Sequence, residues 1–282
     1  MTDVLTTKAD LRALPRVPGR TVVVMTMGAL HRGHVALIDR ARQIAGPSGR
    51  VIVTVFVNPR QFGAGEDFAE YPRTLDEDVQ AAASAGADVV WAPSTDEVYD
   101  TGATVAGITI EPGPLGADLE GASRPGHFAG MLTVVAKLLS ITAADVALFG
   151  EKDYQQLTLI RAMVEALDFP VEVIGVPTVR DDDGLALSSR NRYLQATERA
   201  LAARIPAATA AGVDSALQGA DAVVGATIEV LDVPGIAIDY VAVRAPDLGP
   251  APAAGDARLL VAVRIGATRL IDNVAVTLGV GP

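Results

Sequence analysis

Cysteine is absent from this chain of 282 residues, and aromatic residues make up only 4% of it. The lack of cysteine excludes disulfides, thiolate nucleophiles and cysteine-ligated zinc. No apolar run is long enough to span a bilayer and the first residues lack the apolar core of a signal peptide, so we expect a cytoplasmic protein. Half of the residues are hydrophobic, which permits an aliphatic core of the kind found around buried parallel strands.

Positive charge is also scarce, since the formal net charge is −11. A chain without a long Lys/Arg run is poorly suited to bind nucleic acid or an anionic membrane, because both require neutralised phosphates. We therefore expect neither partner. The bulk charge remains compatible with a small basic pocket for a phosphate-bearing substrate.

Short β-branched runs alternate with helical patterns over the first part of the chain. Strand patterns occur at 21–26, 50–59, 88–91, 145–149 and 171–176, and helical patterns at 35–44, 75–85, 128–141 and 153–167. This alternation predicts an α/β domain with a parallel sheet and right-handed crossovers. Ligands of such sheets lie beyond the carboxyl ends of the strands, so polar residues that directly follow strands are the candidates for chemistry.

The pattern changes after about residue 178. Two Ala-rich helical segments, 197–218 and 220–231, precede strand patterns at 236–244, 258–265 and 268–278. The spacers between these strands contain turn residues, which predicts antiparallel pairing. We therefore expect two domains, an α/β domain over 1–178 and a smaller α+β domain over 179–282.

The turn at 27–34, Met-Gly-Ala-Leu-His-Arg-Gly-His, is the strongest chemical signal. It joins a strand to a helix, whose N-terminus favours phosphate through free N–H groups and partial positive charge. His31 and His34 could donate hydrogen bonds to phosphate and stabilise departing pyrophosphate. An isolated H-x-x-H pair is as often a pair of capping or exposed histidines, and a zinc site would need a third ligand. Because the chain has only three histidines, two in one turn favour function.

Two further segments could hold phosphates. Residues 150–156, Gly-Glu-Lys-Asp-Tyr-Gln-Gln, follow a strand and open a helix, where Lys152 could reach phosphates as a point charge and Asp153 could cap the helix. Residues 187–192 bring two hydroxyls and two arginines to a loop at the domain boundary, a donor set that suits an anion. Taken alone, each segment also fits a charged helix start or a solvated loop.

Other polar residues could bind a substrate or a metal ion. Gln61 follows a strand and is placed to hydrogen-bond a substrate. The acidic run at 76–78 could hold Mg²⁺ through water or could be a charged first helical turn. Arg124 could meet a carboxylate, whereas His127 could be structural.

Together these motifs resemble the pantothenate synthetase (pantoate–β-alanine ligase) family of the HxGH nucleotidyltransferase superfamily. The matching stretches run in order along nearly the whole chain: TMGALHRGH, FVNPRQFGAGEDFAEYPRT, RPGHFAGMLTVVAKLL, FGEKDYQQLTLIRAMV, VPTVRDDDGLALSSRNRYL and RLLVAVRIGATRLIDN. The first stretch alone would indicate only the superfamily. KDYQQ and SSRNRYL make the resemblance specific.

The resemblance implies a Rossmann-like N-terminal domain, a smaller C-terminal lid domain and usually a homodimer. In the implied reaction, pantoate attacks the α-phosphate of ATP to give pantoyl adenylate and pyrophosphate. The amine of β-alanine then attacks the acyl carbon, giving pantothenate and AMP. Magnesium would accompany ATP.

The resemblance also implies roles for individual residues. His31 and His34 would stabilise the transition state, with His34 as the proton donor, and Lys152 would contact the phosphates. The implied ATP site comprises Met27, Gly28, Ala29, Leu30, His31, Arg32, Gly33, His34, Gly150, Glu151, Lys152, Asp153, Val179, Leu187, Ser188, Ser189 and Arg190. The implied residues for pantoate and β-alanine are Gln61, Gln156, Asn58, Arg124 and His127. The candidate metal ligands are Asp76, Glu77 and Asp78.

Small departures from the family pattern affect these assignments differently. Arg32 stands where the family often has Glu, and Leu187 replaces a common Met of similar bulk, so neither should change the chemistry. Glu77 stands where a related sequence would have Asp, which leaves the metal assignment open.

Two other hypotheses stay open on the sequence alone. Another adenylyltransferase that acts on a phosphorylated substrate would need additional basic groups, and the sequence shows no surplus of them. A non-catalytic nucleotide-binding protein on the same fold would be expected to have lost some motif residues, whereas the full set is present.

Overall fold

The computed structural model describes residues 2–63, 65–66, 68–99 and 107–279. The chain divides into two compact units. The first comprises Met1–Glu151 and Leu159–Pro177, and the second comprises Lys152–Thr158 and Thr178–Pro282. This division differs from the sequence-based boundary after residue 178 in two respects, because Thr178 and the short segment Lys152–Thr158 group with the second unit.

The first unit contains a six-stranded parallel sheet, which confirms the predicted α/β class. Its strands are β1 (Asp3–Leu5), β2 (Thr21–Thr26), β3 (Arg50–Val55), β4 (Val89–Trp91), β5 (Val146–Gly150) and β6 (Glu172–Val176), in the spatial order β1-β4-β3-β2-β5-β6. Every neighbouring pair is parallel. From β2 the chain adds strands on one side and then returns to add β5 on the other. The sheet therefore has its switch point between β2 and β5, where α/β proteins bind ligands.

Helices form at all four predicted places before residue 178, and the described residues also form three short helices that the pattern did not predict. In chain order, the helices are α1 (Lys8–Ala13), α2 (Arg32–Ala45), α3 (Leu75–Ser84), α4 (Thr95–Tyr99), α5 (Glu120–Ser123), α6 (His127–Thr142) and α7 (Tyr154–Ala166). Alternate β2 and β3 residues such as Val22 and Val51 pack with Leu37 and Ile38 of α2, as the strand and helix periods require. No helix in the described part of the chain is long and apolar enough to cross a membrane.

The second unit contains a three-stranded antiparallel sheet with helices against it, as predicted. Its elements are α8 (Ala196–Ala202), α9 (Arg204–Asp214), α10 (Ala220–Leu231), β7 (Ile236–Arg244), β8 (Gly255–Ile265) and β9 (Thr268–Leu278). The single helix predicted at 197–218 is wrong, because the chain breaks between α8 and α9 and ends in a separate 3₁₀ turn, Ala216–Gln218. Pro206 explains the first break, since a proline ring clashes with the carbonyl four residues earlier and tolerates only the first helical turn.

Candidate active site

The turn after β2 takes a left-handed backbone at two successive residues. The φ angle is 84° at Gly28 and 51° at Ala29. A Cβ atom added to Gly28 would lie 2.9 Å from Oδ2 of Asp78, so both the backbone angle and the space favour glycine there. At Ala29 the same region costs about 1 kcal/mol, which other contacts must offset.

Asp78 supplies those contacts. Its side chain is 1% exposed, and its carboxylate accepts the N–H of Ala29 at 3.1 Å and the N–H of Leu30 at 2.7 Å. A buried carboxylate needs such donors, and charge-assisted bonds to backbone N–H groups are among the stronger ones in proteins. Asp78 on α3 therefore fixes the shape of the turn that precedes α2.

His31 and His34 begin α2 as reciprocal caps. The N–H of Gly33 donates to Nδ1 of His31 at 3.1 Å, and the N–H of His31 donates to Nδ1 of His34 at 3.3 Å. Because each Nδ1 is an acceptor, each neutral ring carries its proton on Nε2. The two ring centroids are 4.2 Å apart. The turn therefore holds two neighbouring Nε2–H donors in fixed tautomers.

This arrangement changes how the turn could bind phosphate. The sequence predicts free N–H groups at the helix N-terminus, but the capping pair uses the N–H groups of His31 and Gly33. The Nε2–H groups of the imidazoles would then donate hydrogen bonds to phosphate in place of these two backbone N–H groups. They also extend further from the backbone, where they can stabilise negative charge that develops on phosphate oxygens.

Asn58 makes four hydrogen bonds within the protein and is fully buried. Its Oδ1 accepts the N–H of Arg60 at 3.2 Å and the hydroxyl of Tyr99 at 2.6 Å. Its Nδ2 donates to the carbonyl of Gly130 and to Oε1 of Gln61, both at 3.1 Å. The amide of Asn58 has thus reached its full hydrogen-bonding capacity.

The bonds of Asn58 also orient Gln61. A backbone N–H can only donate, so Oδ1 of Asn58 faces Arg60 and its Nδ2 faces Gln61. With its Oε1 used in this way, Gln61 directs Nε2 towards Sδ of Met27, 2.9 Å away. Gln61 therefore directs its donors towards Met27, while Asn58 binds the opposite side of its amide.

Arg124 pairs with a carboxylate of the chain itself. Its Nε and Nη2 donate to the two carboxylate oxygens of Glu66 at 2.8 Å and 2.6 Å, and this bidentate bond lowers the pKa of the Glu66 carboxyl below its usual value. The sequence suggested a carboxylate for Arg124 but did not single out Glu66. No local pattern could have identified it, because the partners are 58 residues apart.

His127 is tied to the same group. Nη1 of Arg124 lies 3.1 Å from Nε2 of His127, and since a guanidinium only donates, that nitrogen is the acceptor. The proton of the neutral ring is then on Nδ1, which donates to the carbonyl of Gln61 at 2.8 Å. In this structure His127 supports the backbone of Gln61.

The three acidic residues considered for metal binding lie in the first turn of α3. Asp76 and Glu77 are exposed, whereas Asp78 is buried against the turn before α2. Over residues 2–63, 65–66, 68–99 and 107–279, no three His, Asp or Glu side chains are grouped to hold a metal ion. The expected three-ligand set is therefore not assembled, because Asp78 is committed to backbone N–H groups.

The KDYQQ segment directly follows the sheet. Gly150 ends β5, and the 3₁₀ turn Glu151–Asp153 leads into α7. Nζ of Lys152 lies 3.8 Å from Oδ1 of Asp153. Gln156 lies in the first turn of α7.

The SSRNR loop in the second unit is shaped by local hydrogen bonds. The N–H of Leu187 donates to the carbonyl of Val179 at 2.9 Å, which brings these two predicted ATP residues together. Ser188 caps the 3₁₀ turn Ser189–Tyr193, where its Oγ accepts the N–H of Arg190 at 3.2 Å. The side chains of this loop are thus presented from an ordered backbone.

A family model and individual relatives of known sequence all place this chain in the same family. The model of the family described as pantoate-beta-alanine ligase matches residues 3–275. A pantothenate synthetase from Nocardia farcinica is 57% identical over 263 residues, which cover 93% of this chain and 81% of that protein. One from Saccharopolyspora erythraea is 54% identical over 269 residues, covering 95% and 87%.

Solved structures resemble the whole chain as well. The crystal structure of pantothenate synthetase from Thermus thermophilus has a TM-score of 0.89 and 46% identity, with 100% of both chains covered. The pantoate-beta-alanine ligase from Francisella tularensis, complexed with beta-gamma ATP and beta-alanine, has a TM-score of 0.79 and 34% identity, with 97% of both chains covered.

Proposed function

The chain belongs to the pantoate-beta-alanine ligase family and is an amide-forming ligase, and we propose that it condenses pantoate with β-alanine at the expense of ATP. In the first step the pantoate carboxylate attacks the α-phosphorus and pyrophosphate leaves. In the second step the β-alanine amine attacks the acyl carbon of pantoyl adenylate, and AMP leaves. The observation that best supports this assignment is the pair of fixed Nε2–H donors at the carboxyl end of β2.

His31 and His34 would act on the first step. Negative charge builds on the phosphate oxygens as the acid attacks and pyrophosphate departs, so donors already aimed at those oxygens lower the barrier. Because each Nδ1 is held by a backbone N–H, neither ring has to change tautomer before it donates. The resemblance implies that His34 is the proton donor. As the neutral tautomer it would donate a hydrogen bond from Nε2–H to the leaving group and keep its proton, and proton transfer would require a second proton on the ring.

Gln61 would bind pantoate. Its Nε2 donors match the carboxylate and hydroxyl oxygens of that acid, and its Oε1 is already used by Asn58. Gln156 would contribute a second amide to the same substrate. Asn58, Arg124 and His127 would serve by holding Gln61 in place, since each bonds to its side chain or its carbonyl.

ATP would be bound by the residues that the resemblance implies. They are Met27, Gly28, Ala29, Leu30, His31, Arg32, Gly33, His34, Gly150, Glu151, Lys152, Asp153, Val179, Leu187, Ser188, Ser189 and Arg190. Lys152 and Arg190 provide positive charge, and the two serine hydroxyls provide additional donors for an anion.

Magnesium would enter as part of the ATP complex and be bound by the phosphates, which suits an ion that keeps several of its waters. The described residues do not group three side-chain ligands for it, and no step is assigned to a protein-held metal. We also propose a homodimer in the cytoplasm, with the second unit as the lid domain of the family. The magnesium, the homodimer and the lid domain rest on the resemblance.

Substitution of His34 tests the assignment. His34→Asn keeps an acceptor near the position of Nδ1 for the cap but removes the Nε2–H donor. We expect turnover, measured as AMP release with ATP, pantoate and β-alanine, to fall by about 100-fold or more, with an unchanged melting temperature. His34→Gln, which restores an N–H near Nε2, should recover part of the loss.

The control is Arg40→Ala on the exposed part of α2, which should leave turnover unchanged. Near-normal AMP release by His34→Asn would contradict the role of the histidine. Release of AMP only with a different acid or amine would contradict the substrate assignment.

A further inference from the structure

The stretch RLIDN in β9 has no part in the function described so far, yet two of its polar residues are buried. Asp272 is 2% exposed and Asn273 is 4% exposed. A buried carboxylate and a buried amide both need hydrogen-bond partners. Successive strand residues point to opposite faces of a sheet, so the two side chains serve different partners.

Asp272 holds the start of the loop that follows β6. Its carboxylate receives two bonds from the guanidinium of Arg180, at 2.6 Å and 2.9 Å. The N–H of Asn273 donates to Oδ1 of Asp272 at 2.7 Å. Asp272 thereby also fixes the backbone from which the Asn273 side chain extends.

Asn273 reaches the KDYQQ segment. Its Oδ1 accepts a hydrogen bond from Nε of Arg258 at 2.7 Å, and its Nδ2 donates to the backbone carbonyl of Lys152 at 2.8 Å. The guanidinium can only donate, so the amide of Asn273 cannot flip, and its donor side must face Lys152. Lys152 and Asn273 belong to the same compact unit.

Arg258 extends this contact along the segment. Its guanidinium lies over the ring of Tyr154, 4.1 Å from the centroid, in cation–π geometry. The hydroxyl of Tyr154 donates to the carbonyl of Pro246 at 2.9 Å. The segment 152–154 is therefore held at the backbone carbonyl of Lys152 and at the side chain of Tyr154 by residues of the antiparallel sheet and its loop.

We propose that Asn273 is a positioning residue for Lys152. The lysine side chain has four rotatable bonds, so the place of its ammonium depends on where the backbone is fixed. Asn273 fixes that backbone at the carbonyl of Lys152 itself, which gives the IDN part of the motif a role in ATP binding. The proposal rests on the proposed role of Lys152, and small displacements of a binding group cost large factors in rate and affinity.

The hydrogen bond itself can be observed separately from activity. The dipeptide Lys-Asp occurs once in the chain, at 152–153, so cell-free protein with carbonyl-¹³C lysine and ¹⁵N aspartate gives a single carbonyl–amide correlation. In Asn273→Ala we expect the Lys152 carbonyl signal to move upfield, as it does when a hydrogen bond is lost. An unmoved signal would overturn the proposal.

Two further variants make this result specific. Asn273→Asp keeps the size and the bond to Arg258 but places an acceptor against the Lys152 carbonyl. It should therefore shift the signal as well, and it replaces Asn273→Ala in the test if that variant does not fold. Asp239→Asn disrupts an ion pair with Arg269 on the same sheet and should leave the signal in place. A shift in Asp239→Asn as large as in Asn273→Ala would overturn the proposal.

A double-mutant cycle tests the consequence for ATP. We expect Asn273→Ala to weaken binding of a β,γ-non-hydrolysable ATP analogue by about 10-fold, and to leave the KM for β-alanine unchanged. In the Lys152→Ala background it should cause no further loss. If the two substitutions weaken binding independently, so that their effects add fully, the role of Asn273 is overturned but the ATP role of Lys152 stands. If Lys152→Ala alone leaves the affinity unchanged, both the ATP role of Lys152 and the role of Asn273 are overturned.

Discussion

Gln61 directs its Nε2 away from Asn58, because its Oε1 accepts a hydrogen bond from Nδ2 of Asn58. Gln61→Glu keeps the shape and the bond to Asn58, but it replaces the donor with a charged acceptor. We expect the KM for pantoate to rise by about 10- to 100-fold, since a charged hydrogen bond is lost and two carboxylates then face each other. Steady-state kinetics with varied pantoate measure this change, and the KM for ATP should stay within about twofold.

The same substitution at an exposed site is the matched control for Gln61→Glu. Gln43 lies on the exposed side of α2, and Gln43→Glu should leave both KM values unchanged. A pantoate KM that is unaffected by Gln61→Glu would show that Gln61 does not bind the acid.

The candidate side chains differ in how visible they are in the sequence. His31, His34 and Gln61 can be found because they follow strands, where α/β sheets place their chemistry. Asp78 and Glu66 cannot be assigned in that way. Their roles are set by partners 49 and 58 residues away, and the sequence suggested a metal for the first and nothing for the second.

Among the strands, β3 contains a buried hydroxyl that lacks a partner. Oγ1 of Thr54 makes no hydrogen bond within the described residues, and its side chain is fully buried. Thr54→Val has the same shape and removes this unsatisfied group. We expect the free energy of unfolding to rise by about 1 kcal/mol, as measured by urea denaturation without ligand.

The neighbouring strand β2 provides the opposite case. Oγ1 of Thr26 donates to the carbonyl of Thr54 at 2.7 Å and accepts the N–H of Gly28 at 3.2 Å. Thr26→Val should therefore lower the free energy of unfolding by about 1 kcal/mol. Changes of the same sign in the two variants would contradict this account of the buried hydroxyls.

The helices and strands were predictable where a periodic pattern and a stop signal agree. β2 begins and ends at the predicted residues, and α2 ends before Gly46 as expected. β3 was predicted to continue to 59 but ends at Val55, because the apolar run continues beyond the last ladder partner. β1 has only three residues, too few to show a period.

At the scale of the whole molecule, acid should lower the free energy of unfolding of the first unit, because protonation of Glu66 removes its ion pair with Arg124. Its pKa is lowered in the folded state by Arg124, so the stabilisation is present above the ordinary value of 4.5 and is lost as the pH falls through the folded value. Glu66→Gln should remove this part of the pH dependence. Urea midpoints between about pH 3 and 7 measure it, and a parallel acid loss in both proteins would contradict the role of the pair.

The two units have separate hydrophobic cores, which affects how these stability measurements are made. Unfolding of the whole chain need not be a single transition, and one midpoint could then mix two events. Trp91 is the single tryptophan of the chain and lies buried in β4. Its fluorescence therefore follows the first unit, where Thr26, Thr54 and Glu66 all lie.

The caps of α2 have a consequence for protein engineering. Asp, Asn, Ser and Thr are the preferred residues at the position that begins a helix, so a search for heat-resistant variants would favour replacing His31 there. Such a variant would keep the cap and lose the imidazole. Selection for folding alone would then yield a more heat-stable protein with less activity. Screens of this family should therefore measure product formation as well as the fraction folded after heating.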